Sequence, residues 1–128
     1  MKIALLGATG FVGSALLKEA HDRGHTVTAI VRQPEKLEKR EGFIAKVGDV
    51  YDTTSLAALT RGNDAVISAF NPGWKDPNLY DDQVRGTASI ITAIKDAGIK
   101  RVLWVGGAGG LEVKPGVHVI DSPDMPLW

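Results

Sequence analysis

The chain has 128 residues, enough for one domain, 1–128, with a modest core. Lys plus Arg and Asp plus Glu both number 15, so the formal net charge is zero and gives no overall pull toward nucleic acid or an anionic membrane. The chain has no cysteine, which excludes disulfides and thiolate chemistry and fits a reducing, cytoplasmic setting, and no apolar run is long enough to cross a bilayer.

Strand and helix patterns alternate along the chain. Ile3–Leu6 reads as a buried strand, and Phe11 to about Arg23 as a helix with Val12, Leu16 and Ala20 on one face, stopped by Gly24. Thr26–Val31, rich in β-branched residues, is a second strand. Gln33–Arg40 carries Pro34 near a helix start and predicts a short charged surface helix. Ile44–Val47 is a third strand. The oxygens of Asp52-Thr-Thr-Ser55 would cap a helix through Leu56–Thr60, ended by Gly62. Asp64–Phe70 is a fourth strand, and Asn71–Asn78 a loop broken by two prolines and a glycine. Asp81–Ala97 is the longest helix, with Val84, Ala88, Ile91 and Ile94 as its stripe and Gly98 as its cap. Arg101–Val105 is a fifth strand, and 106–128 reads as an irregular tail. Strands alternating with helices, joined by right-handed crossovers, predict an α/β fold. It is a Rossmann-type doubly wound parallel sheet of order 3-2-1-4-5, with ligands held beyond the carboxyl ends of the strands.

The first strand runs straight into Gly7-Ala-Thr-Gly10-Phe-Val-Gly13. Glycines at this spacing permit a tight turn, close approach of backbone to a diphosphate, and close packing of helix on strand, while the opening amides of the helix face an anion. Phe11 and Val12 would supply such amides. Thr9 would add a hydroxyl to a phosphate oxygen, or serve only the turn. The second strand ends in Val31-Arg32, where an NAD site would carry an acid. A guanidinium there suits the 2′-phosphate of NADP; otherwise Arg32 opens a solvated loop. Asp49, in Gly48-Asp49-Val50, would accept from an adenine amine beside Val50, or cap the next helix locally. Ala69, Phe70 and Asn71 would border the ribose and nicotinamide. The bare backbone from Gly106 and Gly107 to Gly110 permits approach of a flat ring, and is also what a flexible loop looks like.

These segments, with Asp64-Ala-Val-Ile-Ser68 and Lys100-Arg-Val-Leu-Trp-Val-Gly-Gly-Ala-Gly109, resemble an atypical short-chain dehydrogenase/reductase. The branch is that of NAD(P)H-binding proteins similar to biliverdin reductase B, flavin reductases and NmrA-like regulators. The resemblance implies that Arg32 meets the NADP phosphate and that Gly106 and Gly107 lie beside the nicotinamide. NAD stays open as an alternative cofactor, and a flavin as a substrate.

The wider family commonly uses a Tyr-x-x-x-Lys pair as a proton relay. Here Ser55 follows Tyr51 by four places and Val84 follows Tyr80, so neither tyrosine forms the pair. Hydride transfer to a flavin needs no such relay. The sequence therefore predicts an NADP(H)-binding oxidoreductase of the flavin-reductase type, acting on a small-molecule substrate or electron acceptor, with no catalytic residue named. A nonenzymatic NADP(H) sensor and a relative of sugar-nucleotide epimerases lacking its catalytic half are the alternatives. His21 and His25 have helical metal-pair spacing, but Gly24 breaks it and no third ligand is evident, so no metal is expected. Trp74 would lid the nicotinamide pocket or pack its loop on the scaffold. The mixed charges of Glu35–Glu41 read as a solvated face.

Relatives of this type usually continue past the fifth strand, so the C-terminal part of the usual fold is expected to be missing. Val102–Val105, apolar on both faces, would then lack cover on one. A fragment of a longer protein, or a homo-oligomer formed through the strand-five edge, is expected, with Val117–Ile120, Leu127 and Trp128 as partial cover.

Overall fold

Short apolar runs separated by helices give one parallel sheet. The computed structural model describes residues 1–37, 43–73, 75–106 and 111–118. Strands β1 (Lys2–Leu6), β2 (Thr26–Val31), β3 (Phe43–Val47), β4 (Ala65–Ser68) and β5 (Val102–Trp104) pair in the order β3-β2-β1-β4-β5, all parallel. The helices are α1 (Phe11–Asp22), α2 (Thr53–Thr60) and α3 (Leu79–Ala97). The predicted sheet order holds. Its reversal lies between β1 and β4, where the loops leaving the sheet part and open a cleft.

Alternation along each strand divides the core into two layers. Ala4, Leu6, Ile30 and Val66 meet Leu56 and Ala57 of α2 and Ile90, Ala93 and Ile94 of α3. Ile3, Leu5, Val27, Ala29 and Val31 meet Leu17 and Ala20 of α1. Trp104 of β5 packs into the first layer. Leu103 lies opposite Ile67, which belongs to the α1 side, and is 55% exposed. Val102, on the same face as Trp104, is 41% exposed, so strand five is covered only in part on one face and open on the other. The Asp52 carboxylate accepts from the Ser55 amide at 3.2 Å, so the predicted cap of α2 is in place.

Several expectations need correction. The buried line of α1 is Gly13, Leu17 and Ala20, and Val12 is 43% exposed. Counting apolar side chains put the stripe one residue too early, because its first member is a glycine chosen for close packing. The same reason moves the stripe of α3 to Gly86, Ser89, Ile90, Ala93 and Ile94, leaving Val84 (53%) and Ile91 (44%) on the surface. Pro34–Lys36 forms a single 3₁₀ turn, the described part of the expected surface helix. β4 stops at Ser68, short of Phe70. The tail is not wholly irregular: β6 (Glu112–Lys114) and β7 (Val117–His118) pair antiparallel. Pro115 and Gly116, with φ +81° at the glycine, join them in the arrangement of a type II turn. Gly107, Trp74 and residues 119–128, with their expected roles, lie outside the described residues.

Candidate functional site

The site starts where β1 runs out. Gly7 turns the chain with φ +79°, and a Cβ there would stand 2.5 Å from the Ala69 carbonyl oxygen. A Cβ on Gly13 would stand 1.7 Å from the Gly7 oxygen, so the helix packs on the turn only without a side chain. Gly10 is different: a Cβ there would meet nothing closer than 3.5 Å, and its φ of −77° is ordinary. Neither packing nor conformation demands glycine at this place, and the missing side chain leaves the helix start open to the approach of a ligand. Gly10 caps α1 with no side-chain bond, and the first turn holds no acid. The opening amides at Phe11, Val12 and Gly13 sit at the positive end of the helix. An uncapped helix start beside an open glycine fits a diphosphate.

A groove of about 390 Å³ runs along this end of the sheet. It brings together six of the predicted site residues: Gly7, Thr9, Arg32, Val50, Phe70 and Asn71. Gly10, Phe11, Val12, Gly13, Asp49, Ala69 and Gly106 do not line it. The Phe11 ring points to solvent at 95% exposure. Asp49 accepts from the Tyr51 amide at 2.9 Å through Oδ1, a bond within its own turn, and does not cap the next helix, whose cap is Asp52. Asn71 accepts from the Gly73 amide at 2.7 Å, so its side chain serves its own loop. Gly106 follows β5 at the surface.

The groove also exposes residues that sequence reading missed. Lys36, which the sequence placed in a solvated run, lines it alongside Arg32 and Thr9. The proline-led turn that starts at Pro34 carries it there. The Arg32 guanidinium carbon lies 5.8 Å from the ring centroid of Tyr51, and that of Arg85 lies 3.8 Å from it. Phe70 meets Tyr51 edge-on at 5.9 Å, and rests on α3 where a Cβ at Gly86 would come within 2.3 Å of its ring. Ser89 donates to the Val50 carbonyl at 2.6 Å and accepts from Thr53 at 2.7 Å, tying the loop after β3 to α3. Burial, then the nearby Asp82 carboxylate, hold the Tyr51 phenol above its ordinary range, so it is neutral at physiological pH. Only position in the chain, directly after Gly48-Asp49-Val50, could have pointed to Tyr51; nothing in the sequence marks Arg85.

Gly24, at φ +83°, separates His21 from His25. Among the described residues no helix is long and apolar enough to cross a membrane.

A doubly wound parallel sheet with a glycine turn feeding an uncapped helix defines a Rossmann-type nucleotide-binding protein. The model of the NAD(P)H-binding family matches residues 7–125, and the chain belongs to that family. It is similar to the Bacillus subtilis protein YwnB, with 38% identity over 98% of this chain and 57% of that one. A solved structure from Bacteroides thetaiotaomicron, provisionally described as an epimerase, is 47% identical with a TM-score of 0.88, over 98% of this chain and 56% of that one. Another from Streptococcus pneumoniae, provisionally described as an NADH-flavin reductase, is 35% identical with a TM-score of 0.73, over 98% and 57%. The chain thus spans about half the length of these relatives.

Proposed function

We propose that the chain binds NADP(H) along this groove and serves hydride transfer of the flavin-reductase type, with no Tyr-Lys pair involved. The observation that carries the reading is the end of β2. Arg32 and Lys36 line the groove there, and Val31-Arg32-Gln33 offers no carboxylate to a ribose hydroxyl. A planar guanidinium matches a phosphate through paired, charge-assisted bonds, and the lysine adds a point charge. In this reading the α1 amides and Thr9 face the diphosphate and Val50 lines the adenine. Asp49 keeps its second oxygen for the adenine amine. Ala69, Phe70, Asn71 and Gly106 border the nicotinamide.

The reaction class is supported by likeness to the Streptococcus pneumoniae protein. A reduced nicotinamide, when bound, supplies a hydride to an oxidised flavin or quinone, which takes a further proton from water. This chain's residues bind and orient. The place of β5 at the end of the sheet supports self-association through that edge. A nonenzymatic NADP(H) sensor is the second reading. A relative of the epimerases is the third, supported by likeness to the Bacteroides thetaiotaomicron structure.

Calorimetric titration with NADP, NAD, FMN and FAD, followed by NADPH consumption across flavins and quinones, tests the proposal. We expect NADP to bind more tightly than NAD and NADPH to be oxidised. Binding without oxidation by any acceptor would hand the case to the sensor.

A further inference from the structure

We propose that Tyr51 is a positioning residue whose ring holds the Arg32 guanidinium at the rim of the groove, so that NADP meets a cation already in place. The inference rests on the reading of Arg32 as the ligand of the 2′-phosphate. It goes beyond that reading by naming what makes Arg32 selective.

Arg32 is exposed, and a long exposed side chain loses rotamer freedom when it grips a ligand. A partner that restricts it beforehand lowers that cost. The Tyr51 ring stands 5.8 Å from the guanidinium, within the range where the negative face of an aromatic ring attracts a cation. The ring itself is constrained on several sides. Arg85 stacks on it at 3.8 Å and is held in turn by Asp82 at 3.3 Å. Phe70 abuts its edge at 5.9 Å and is seated in the space left by Gly86. The peptide bond that precedes the ring is tied down at both of its ends, by Asp49 at the Tyr51 amide and by Ser89 at the Val50 carbonyl. A ring fixed in this way is a surface on which Arg32 is pre-arranged. The phenol hydroxyl takes no part, and the phenol stays neutral at physiological pH.

The test compares dissociation constants for NADP and NAD in Arg32→Gln, Tyr51→Leu, Tyr51→Phe and the double variant Arg32→Gln/Tyr51→Leu, each checked for folding by circular dichroism. Tyr51→Leu should weaken NADP about twofold to fivefold and leave NAD unchanged, since an exposed cation–π contact carries about that factor. Tyr51→Phe should bind NADP as the parent does. In the Arg32→Gln background, Tyr51→Leu should add no further loss. Equal weakening of NADP and NAD by Tyr51→Leu, or the same loss with Arg32 already gone, would overturn the positioning role. An NADP-to-NAD ratio unchanged in Arg32→Gln would remove the phosphate assignment itself, and this role with it. A ratio that falls in Arg32→Gln but not in Tyr51→Leu would overturn the positioning role alone.

Discussion

Between β1 and β3 the groove is bordered by residues tied to other elements; beyond β4 its lining divides between Phe70, packed on α3, and Asn71, bonded within its own loop. On the first side Gly13 packs against the Gly7 carbonyl, Ser89 pins Val50, and Arg32 stands over a braced Tyr51. On the second side Asn71 bonds within its own loop and Gly106 lies at the surface, with nothing within 4 Å of where its Cβ would be. The rigid side is the one that would read the nucleotide; the looser side is where an acceptor would enter. A binding site built on packed elements is pre-organised, whereas local loops leave more room for change.

Substitutions should separate the two sides. Gly13→Ala forces a Cβ onto a backbone oxygen that cannot move aside, and should cost about 3 kcal/mol or more in urea unfolding. A cost near zero would show that the turn is not close-packed. Arg32→Asp should weaken NADP about tenfold to a hundredfold in calorimetry, as expected for losing charge-assisted bonds, with NAD much less affected. Equal losses for both nucleotides would remove the 2′-phosphate assignment. Ser89→Ala leaves the Val50 carbonyl without its buried donor and should cost about 1 kcal/mol of stability by thermal or urea unfolding. On the looser side, Asn71→Ala should change stability by no more than about 0.5 kcal/mol, and a large loss there would erase the contrast.

The smallest effect concerns pH. The Tyr51 phenol is held above its ordinary range, so the folded chain keeps this proton where the unfolded chain gives it up. Its contribution to stability is therefore complete below the ordinary tyrosine pKa of about 10 and is lost as pH rises through the raised value. An ultraviolet titration should show one tyrosine ionising late, and Tyr51→Phe should abolish that late component. A late component that persists in Tyr51→Phe would place the shift elsewhere.

Much of this was legible in the sequence because periodicity and glycine spacing report directly on backbone. The strands, their order, the Asp52 cap and the glycine turn all follow from local pattern. The buried faces of α1 and α3 did not, because Gly13, Gly86 and Ser89 are buried for close approach or a hydrogen bond and carry no apolar signal. The hairpin at Pro115-Gly116 was readable from its turn residues and was missed for want of long flanking strands. In the groove, Arg32 and Gly7 were legible from their position after strands. Lys36 was hidden in a run of mixed charge. The contact between Tyr51 and Arg85 joins a loop to a distant helix, which no local pattern encodes.

The central claim is that the amides opening α1 receive the diphosphate of a nicotinamide dinucleotide. Diffraction from crystals soaked in NADP tests it most directly. The account predicts diphosphate density against the amides of Phe11 and Val12, with the 2′-phosphate beside Arg32. Dinucleotide density lodged elsewhere on the chain, or none at saturating nucleotide, would contradict it.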